Sequence, residues 1–331
     1  MTRLNNSQHG LTLVELLVAL VISLLIALAA IAALTATRQG FNTIDSASQL
    51  RDNGRFTTDL IQRLGVQSGF KDVWYASQPA TATEVAANIA PNITGFNNAL
   101  SDASNPLNAS TARTTGVVGY GSDILILRFQ PVQRNAGTNA ADGSMIDCMG
   151  NTATTVASTR DQRMASILSV DISTGEPSLM CGTVAANGTI SDKQPIIQGV
   201  ENFQVLYGVD GTTLTPNTVF TGTQDSVPDA YLRADQMVVG GVTNSADTYA
   251  NWRRVRSIRI GMVLRGPPNS AQNSVAQTLY PLGPAKASAT GTAGSALSAS
   301  ADAGTIFSAP ADGRLRQVVT FTVHLRNDQA L

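Results

Sequence analysis

From Leu11 to Leu34 the chain is apolar except for Thr12, Glu15 and Ser23. A run of about 24 residues makes roughly 36 Å of helix, enough to cross a bilayer core of about 30 Å. Beyond it the apolar positions change spacing. Phe41, Ile44, Ala47, Phe56, Leu60, Ile61 and Leu64 recur mostly at three- and four-residue steps, as on one face of a helix. Arg51, Asp52, Arg55, Asp59 and Arg63 take much of the other surface. Gly54 weakens the middle of this pattern and Gly65 offers a stop. The spacing predicts one helix from Leu11 to Leu64, about 80 Å long. Its first half lies in membrane or filament, and its second half packs on a globular part.

After Gly69 the pattern turns to strands and loops. Residues 76–115 are rich in Ala, Thr, Asn, Ser and Pro and read as loops with room for one short helix. Ile124–Phe129, Ile167–Ile172 and Val200–Val209 read as strands. Two late segments alternate more clearly. Ile258, Ile260, Met262 and Leu264 share one face, with Arg259 and Arg265 on the other. Val319, Phe321, Val323 and Leu325 are opposed by Thr320, Thr322, His324 and Arg326. A period of two marks half-buried antiparallel strands. Residues 285–304 are nearly all Ala, Ser, Thr and Gly, a low-complexity loop. One long helix followed by strands predicts an α+β fold. The helix lies against an antiparallel sheet, and the length leaves room for a second small sheet.

The 331 residues carry a formal net charge of -1 and only 14% charged side chains. Near-neutrality argues against a dedicated nucleic-acid binder, which carries a basic excess. Low charge with many small polar residues suits an exported, loop-rich β protein. Two cysteines and two histidines leave too few ligands for a Cys/His zinc cluster. The chain has no HExxH, P-loop or CxxC motif, so no metal or cofactor is expected.

Glu15 is the anomaly of the apolar run. A carboxylate inside a membrane helix costs roughly 2.5 to 3.5 kcal/mol on insertion scales, and such a residue is a functional hypothesis by default. Its position near the start of the run softens that cost. Arg3 precedes the run and no further Lys or Arg follows until Arg38, which places the leader on the cytoplasmic side and the bulk of the chain outside the cytoplasm. A free amine at Leu11 would suit Glu15, and a cut between Gly10 and Leu11 would create it.

The stretch Gly10-Leu11-Thr12-Leu13-Val14-Glu15-Leu16-Leu17-Val18-Ala19-Leu20 resembles the class III signal of type IV prepilins. The resemblance implies cleavage after Gly10 by prepilin peptidase and N-methylation of Leu11. It makes Glu15 the assembly carboxylate that pairs with an N-terminal amine. The family most often has Phe after the cut, where this chain has Leu11. A conventional signal peptide competes through small-residue sites at Ala27-Leu28-Ala29 and Ala30-Ile31-Ala32. The long run, the weakly basic leader and Glu15 argue against it, as they do against a plain signal anchor.

Three further places resemble PilW-type minor pilins. They are Arg51-Asp52-Asn53-Gly54-Arg55-Phe56 with Leu60 to Gly69; Gly199 through Asp210; and Trp252 through Arg265 with Leu315 through Asn327. This resemblance implies a low-abundance structural subunit, without catalysis or cofactor, that helps start pilus assembly and serves motility or adhesion. Its implied partners are other minor pilins, the major pilin, prepilin peptidase, the inner-membrane assembly platform and a PilY-type tip adhesin. The implied location is the inner membrane, with the globular part in the periplasm, and then the pilus on the cell surface. The organisation is then a leader over 1–10, a membrane and filament-core helix over 11–34, its amphipathic continuation over 35–65, and a globular pilin domain over 66–331. A type II secretion pseudopilin of the J type shares this pattern. A periplasmic binding protein or enzyme with an ordinary signal peptide is the reading from another class.

Cys148 and Cys181 would lie in an oxidising compartment, where an even count favours a disulfide worth roughly 4 kcal/mol in the chain-entropy model. Two buried free thiols, or a catalytic Cys with His324, are the other readings. No GxSxG motif supports a hydrolase triad around His324. Gly116-Val117-Val118-Gly119-Tyr120-Gly121 lacks the spacing of a phosphate loop and reads as turn glycines. Arg253, Arg254, Arg256 and Arg259 with Arg314 and Arg316 make a candidate basic face. The alternative is a set of contacts to acidic neighbours, and the neutral net charge favours it over nucleic acid.

Overall fold

The computed structural model describes residues 12–72, 74, 89–135, 138–157, 159, 161–212, 215–283 and 302–327. Gly10, Leu11 and most of the 285–304 segment lie outside the described residues. Helix α1 runs Leu13–Gln67. It ends where Ser68 N–H bonds Leu64 O at 2.9 Å and Gly69 takes a left-handed φ of 79°, a conformation suited to glycine. The Asn327 side chain donates to the carbonyls of Val66 and Ser68 at 2.7 and 3.3 Å, satisfying acceptors that a helix end leaves bare. The stop is therefore Ser68–Gly69 and not Gly65.

The buried face of α1 is Ser46, Leu50, Gly54, Thr57, Ile61, Leu64 and Gly65. Phe41, Ile44 and Phe56, expected on that face, are 67%, 70% and 57% exposed. The reason is a close helix–sheet approach that small residues permit and a count of large apolar residues overlooks. A Cβ on Gly54 would stand 2.9 Å from Val319 Cγ2, and one on Gly65 2.6 Å from Val323 Cγ1. Thr57 satisfies its buried hydroxyl by donating to Asn53 O at 2.6 Å. Gly65→Val is expected to cost about 1 to 3 kcal/mol by overpacking this seam, read as a lower melting temperature of the full chain in detergent.

The globular part holds two larger antiparallel sheets. Strands β1 (Ile93–Phe96), β4 (Ile124–Phe129), β5 (Met164–Ser173), β6 (Glu176–Val184) and β7 (Ile190–Gln198) form one, in the order β1-β4-β5-β6-β7. Strands β8 (Val200–Val209), β9 (Ala230–Leu232), β10 (Val255–Arg265) and β13 (Arg316–His324) form the other, in the order β13-β10-β8-β9. The pairs β2 (Ala99–Ser101) with β3 (Ala109–Ala112), and β11 (Gln277–Leu279) with β12 (Phe307–Ala309), are small two-stranded sheets. A 3-10 turn at Ala234–Met237 and helix α2 (Ala246–Trp252) complete the described elements. The expected strands at 124–129, 167–172, 200–209 and in the first late segment lie within β4, β5, β8 and β10; the second late segment lies within β13 except for Leu325 and Arg326, which follow its end. Strands β1, β2 and β3 fall within 76–115, which reads as loop in the sequence. They are short and built mostly of small residues, so they carry little periodicity.

α1 packs on the four-stranded sheet. Gly54 meets Val319, and Gly65 meets Val323 and Leu325. Eleven helical residues span about 16 Å, as do about five residues of strand, so α1 runs alongside β13 in the same direction. All ten residues of β8 are buried, because both of its faces are covered. The core joins Leu50, Ile61 and Leu64 of α1 to both sheets, including Leu125, Leu168 and Leu179 of the five-stranded one. Asp123, at the head of β4, ties the sheets together. Its carboxylate accepts from Asn98 N–H at 2.9 Å and Val205 N–H at 2.7 Å, and its own N–H donates to Phe203 O at 2.8 Å.

Candidate functional site

The apolar half of α1 projects bare from the globular part. Leu13, Leu24 and Leu28 are 76%, 67% and 65% exposed. Among the described residues α1 is the helix long and apolar enough to cross a membrane. Water-exposed leucines at this density are unfavourable at about 25 cal/mol per Å² of apolar surface, so the segment requires lipid or other helices around it.

At its start Thr12 is the N-cap, and Thr12 and Glu15 close a capping box. Glu15 Oε2 accepts from Thr12 N–H and from Thr12 Oγ1, both at 3.0 Å, and Glu15 N–H donates to Thr12 Oγ1 at 3.3 Å. The Thr-x-x-Glu spacing is the sequence signature of this local role. Both carboxylate bonds use one oxygen, so Oε1 remains for a further donor.

Arg314 and Arg316 do not form a basic face. They join Arg265, Glu176, Glu201 and Asp312 in a network that bridges β6 to the four-stranded sheet. Glu176 bonds Arg265 at 2.8 Å and Arg314 at 3.0 Å; Glu201 bonds Arg265 at 3.0 Å and Arg316 at 2.6 Å; Asp312 bonds Arg316 at 2.7 Å. The Arg316 guanidinium holds Asp312 at about 2. Burial opposes the Glu176 carboxylate, but Arg265 and Arg314 outweigh it and keep it below the ordinary range. Depressed carboxylates contribute stability above their unfolded values near 4 and lose it as pH falls toward 2, so this seam survives mild acid. Arg256 is also engaged, at 3.2 Å from the fully buried Asp210, and Arg254 donates to the carbonyls of Gly211 and Gly222 at 3.1 and 2.8 Å.

Cys148 and Cys181 are joined in a disulfide with Cα atoms 5.8 Å apart, both buried, leaving neither thiol free for His324. The bond anchors the loop before β5 to β6. That loop in turn clasps the end of α1: Ile146 N–H donates to Gln67 Oε1 at 3.0 Å, and Gln67 Nε2 donates to Ile146 O at 3.4 Å. Replacing both cysteines by serine is expected to lose about 4 kcal/mol, measured by urea unfolding of the full chain under oxidising conditions. His324 is exposed at the end of β13. Gly116, Gly119 and Gly121 all take positive φ in the turn before β4, as turn glycines do. Among the described residues no group of three His, Cys, Asp or Glu side chains is placed to hold a metal.

The prokaryotic N-terminal methylation motif matches residues 5–31, over the leader and the bare helix. Motif, apolar helix and antiparallel domain together define a membrane-anchored subunit of the pilin class. The chain belongs to the PilW family: the model of the type IV pilus-assembly protein W matches residues 152–327, over half of its length. That match contains β5 through β13 with the disulfide's Cys181 and the arginine network. Among solved structures, a type IV-like pilin from Thermus thermophilus is similar at 13% identity and a TM-score of 0.38, covering 84% of this chain and 97% of that one. No curated protein matches the chain by sequence.

Proposed function

We propose that this chain is a minor pilin that helps to initiate and assemble a type IV pilus, acting as a structural subunit in support of motility or adhesion. The observation that carries this reading is the bare apolar half of α1 under an N-terminal methylation motif, with a carboxylate near its start. The precursor inserts with residues 1–10 in the cytoplasm and the globular part in the periplasm. Prepilin peptidase cuts between Gly10 and Leu11, and Leu11 is methylated. Glu15 then pairs through its spare oxygen with an N-terminal amine, its own or a neighbour's. In low dielectric that pairing is strong enough to set one helix against the next, provided both charges stay satisfied. The apolar helix leaves lipid for a bundle of similar helices, so its surface stays out of water throughout. The globular part selects neighbours, among them other minor pilins, the major pilin, the assembly platform and a PilY-type tip adhesin.

The mature N-terminus tests this, by mass spectrometry of membrane and sheared-filament fractions. A methylated Leu11 that depends on prepilin peptidase is the expected result. A start beyond Ala29, or an uncut Met1, would remove the assembly mechanism.

A further inference from the structure

Four strand edges border the two larger sheets, and three of them are blunted. β1 has four residues and β9 three. β7 has nine, but it carries Lys193 and Pro195 and its pairing with β6 is broken twice by register shifts. Short length, charge, proline and bulges are the devices that keep strand edges from pairing with other chains. β13 carries one charged residue at its start, Arg316, which is held in ion pairs, and none of these devices from Gln317 on. It pairs with β10 over nine consecutive residues without a shift, and Gln317–His324 contains no Pro, Gly or Lys.

The ladder's phase shows which groups face outward. Leu325 N–H bonds Arg256 O at 2.9 Å and Gly266 N–H bonds Leu315 O at 2.8 Å. Hydrogen-bonded pairs alternate along an antiparallel ladder, so Gln317, Val319, Phe321 and Val323 bond inward to β10. Val318, Thr320, Thr322 and His324 therefore turn both N–H and C=O to the outer edge. No backbone group of the described residues meets theirs there; the Thr320 hydroxyl is separately engaged, donating to Pro281 O at 2.6 Å on the sheet face away from α1. Val319 and Phe321 are only partly buried against the core, as expected of an edge strand lacking a neighbour.

We infer that the outer edge of β13 is a strand-addition site that takes an extended segment of another protein. Main-chain bonds to Val318, Thr320, Thr322 and His324 would supply affinity, and side chains the specificity. The fitting segment alternates. Its apolar residues lie beside Val319, Phe321 and Val323 on the α1 face, and its small polar residues beside Thr320 and Thr322 on the other. A second copy paired antiparallel is not the occupant. Antiparallel pairing of β13 with itself needs a twofold axis perpendicular to the sheet. Because α1 runs alongside β13, that axis would point the two apolar helices in opposite directions, which one membrane cannot accommodate.

The test adds a synthetic peptide of the β13 sequence, Arg316–His324, to the full chain in nanodiscs, with amide exchange read residue by residue. Exchange at Val318, Thr320, Thr322 and His324 should slow about tenfold or more, with Val319, Phe321 and Val323 unchanged. Thr320→Pro should abolish the effect, since its N–H is not part of the β10 ladder. Thr322→Lys is the second variant, blocking the edge without altering the backbone. Three results would overturn the inference: no slowing at saturating peptide, outward amides already as protected as inward ones in the chain alone, or a dimer of the chain alone that protects them. None of these depends on where the N-terminus is cut, so this outcome and the pilin reading are separable.

Discussion

Glu15→Ala is expected to leave membrane insertion intact and to lower incorporation into filaments about tenfold or more. Removing a carboxylate from an apolar helix favours insertion by roughly 2.5 to 3.5 kcal/mol. The helix itself loses only its capping box. Thr12 still accepts from Glu15's backbone position at the N-cap, so the local cost is about 1 kcal/mol or less. In the proposed assembly role, what disappears is the partner for an amine inside an apolar bundle, where each 1.4 kcal/mol lost is a factor of ten. Glu15→Gln separates the two roles, because an amide retains an acceptor for Thr12 without the charge. Comparing the chain in membrane and sheared-filament fractions reads both variants. Normal filament incorporation of Glu15→Ala would leave Glu15 as a helix cap and nothing more.

Asp210→Ala is expected to destabilise the globular domain by about 3 to 5 kcal/mol, since it strips a buried guanidinium of its carboxylate. Asp210 is fully buried and accepts from Arg256 Nε at 3.2 Å, Asp225 N–H at 3.0 Å and Ser226 N–H at 2.9 Å. It therefore fixes both the end of β8 and the loop that leads to β9. Arg256 keeps its bonds to Gln224 Oε1 at 2.7 Å and Arg253 O at 2.9 Å, which do not replace the charge. The double variant Asp210→Ala, Arg256→Met should recover part of the loss, because the buried cation is removed together with the carboxylate it bonds. Urea unfolding of the full chain in nanodiscs measures both. A single-variant loss under about 1 kcal/mol would place the pair with exposed ion pairs, contrary to its burial.

Legibility followed the range of the interaction. The strands β4, β5, β8, β10 and β13 could be read because each buries a face or both, and burial imposes a pattern of period two or a continuous apolar run. β6 did not stand out: Glu176–Val184 is buried over most of its length with Pro177, Ser178, Gly182 and Thr183 in it, so composition gives no strand signal. The arginines near 253–259 and 314–316 were visible as a charge cluster. Arg256 finds Asp210, and Arg314 and Arg316 find Glu176 and Glu201, on other elements, with Asp312 local to Arg316; only the pairing of sheets shows that these three cations are engaged.

The sequence by itself determined the N-terminal half of this protein's character. The apolar run, the carboxylate within it and the turn to period-two strands are local patterns, and lipid or an aqueous surround acts on them residue by residue. The tertiary structure decided which face of α1 is buried. That choice rests on Gly54 and Gly65, whose role is to be absent where Val319 and Val323 arrive, and a missing side chain has no hydropathy to read. It also decided that, among the described residues, β13 stands at the edge of its sheet, since an edge is a fact about neighbours, and the strand's own residues are compatible with either position in a sheet.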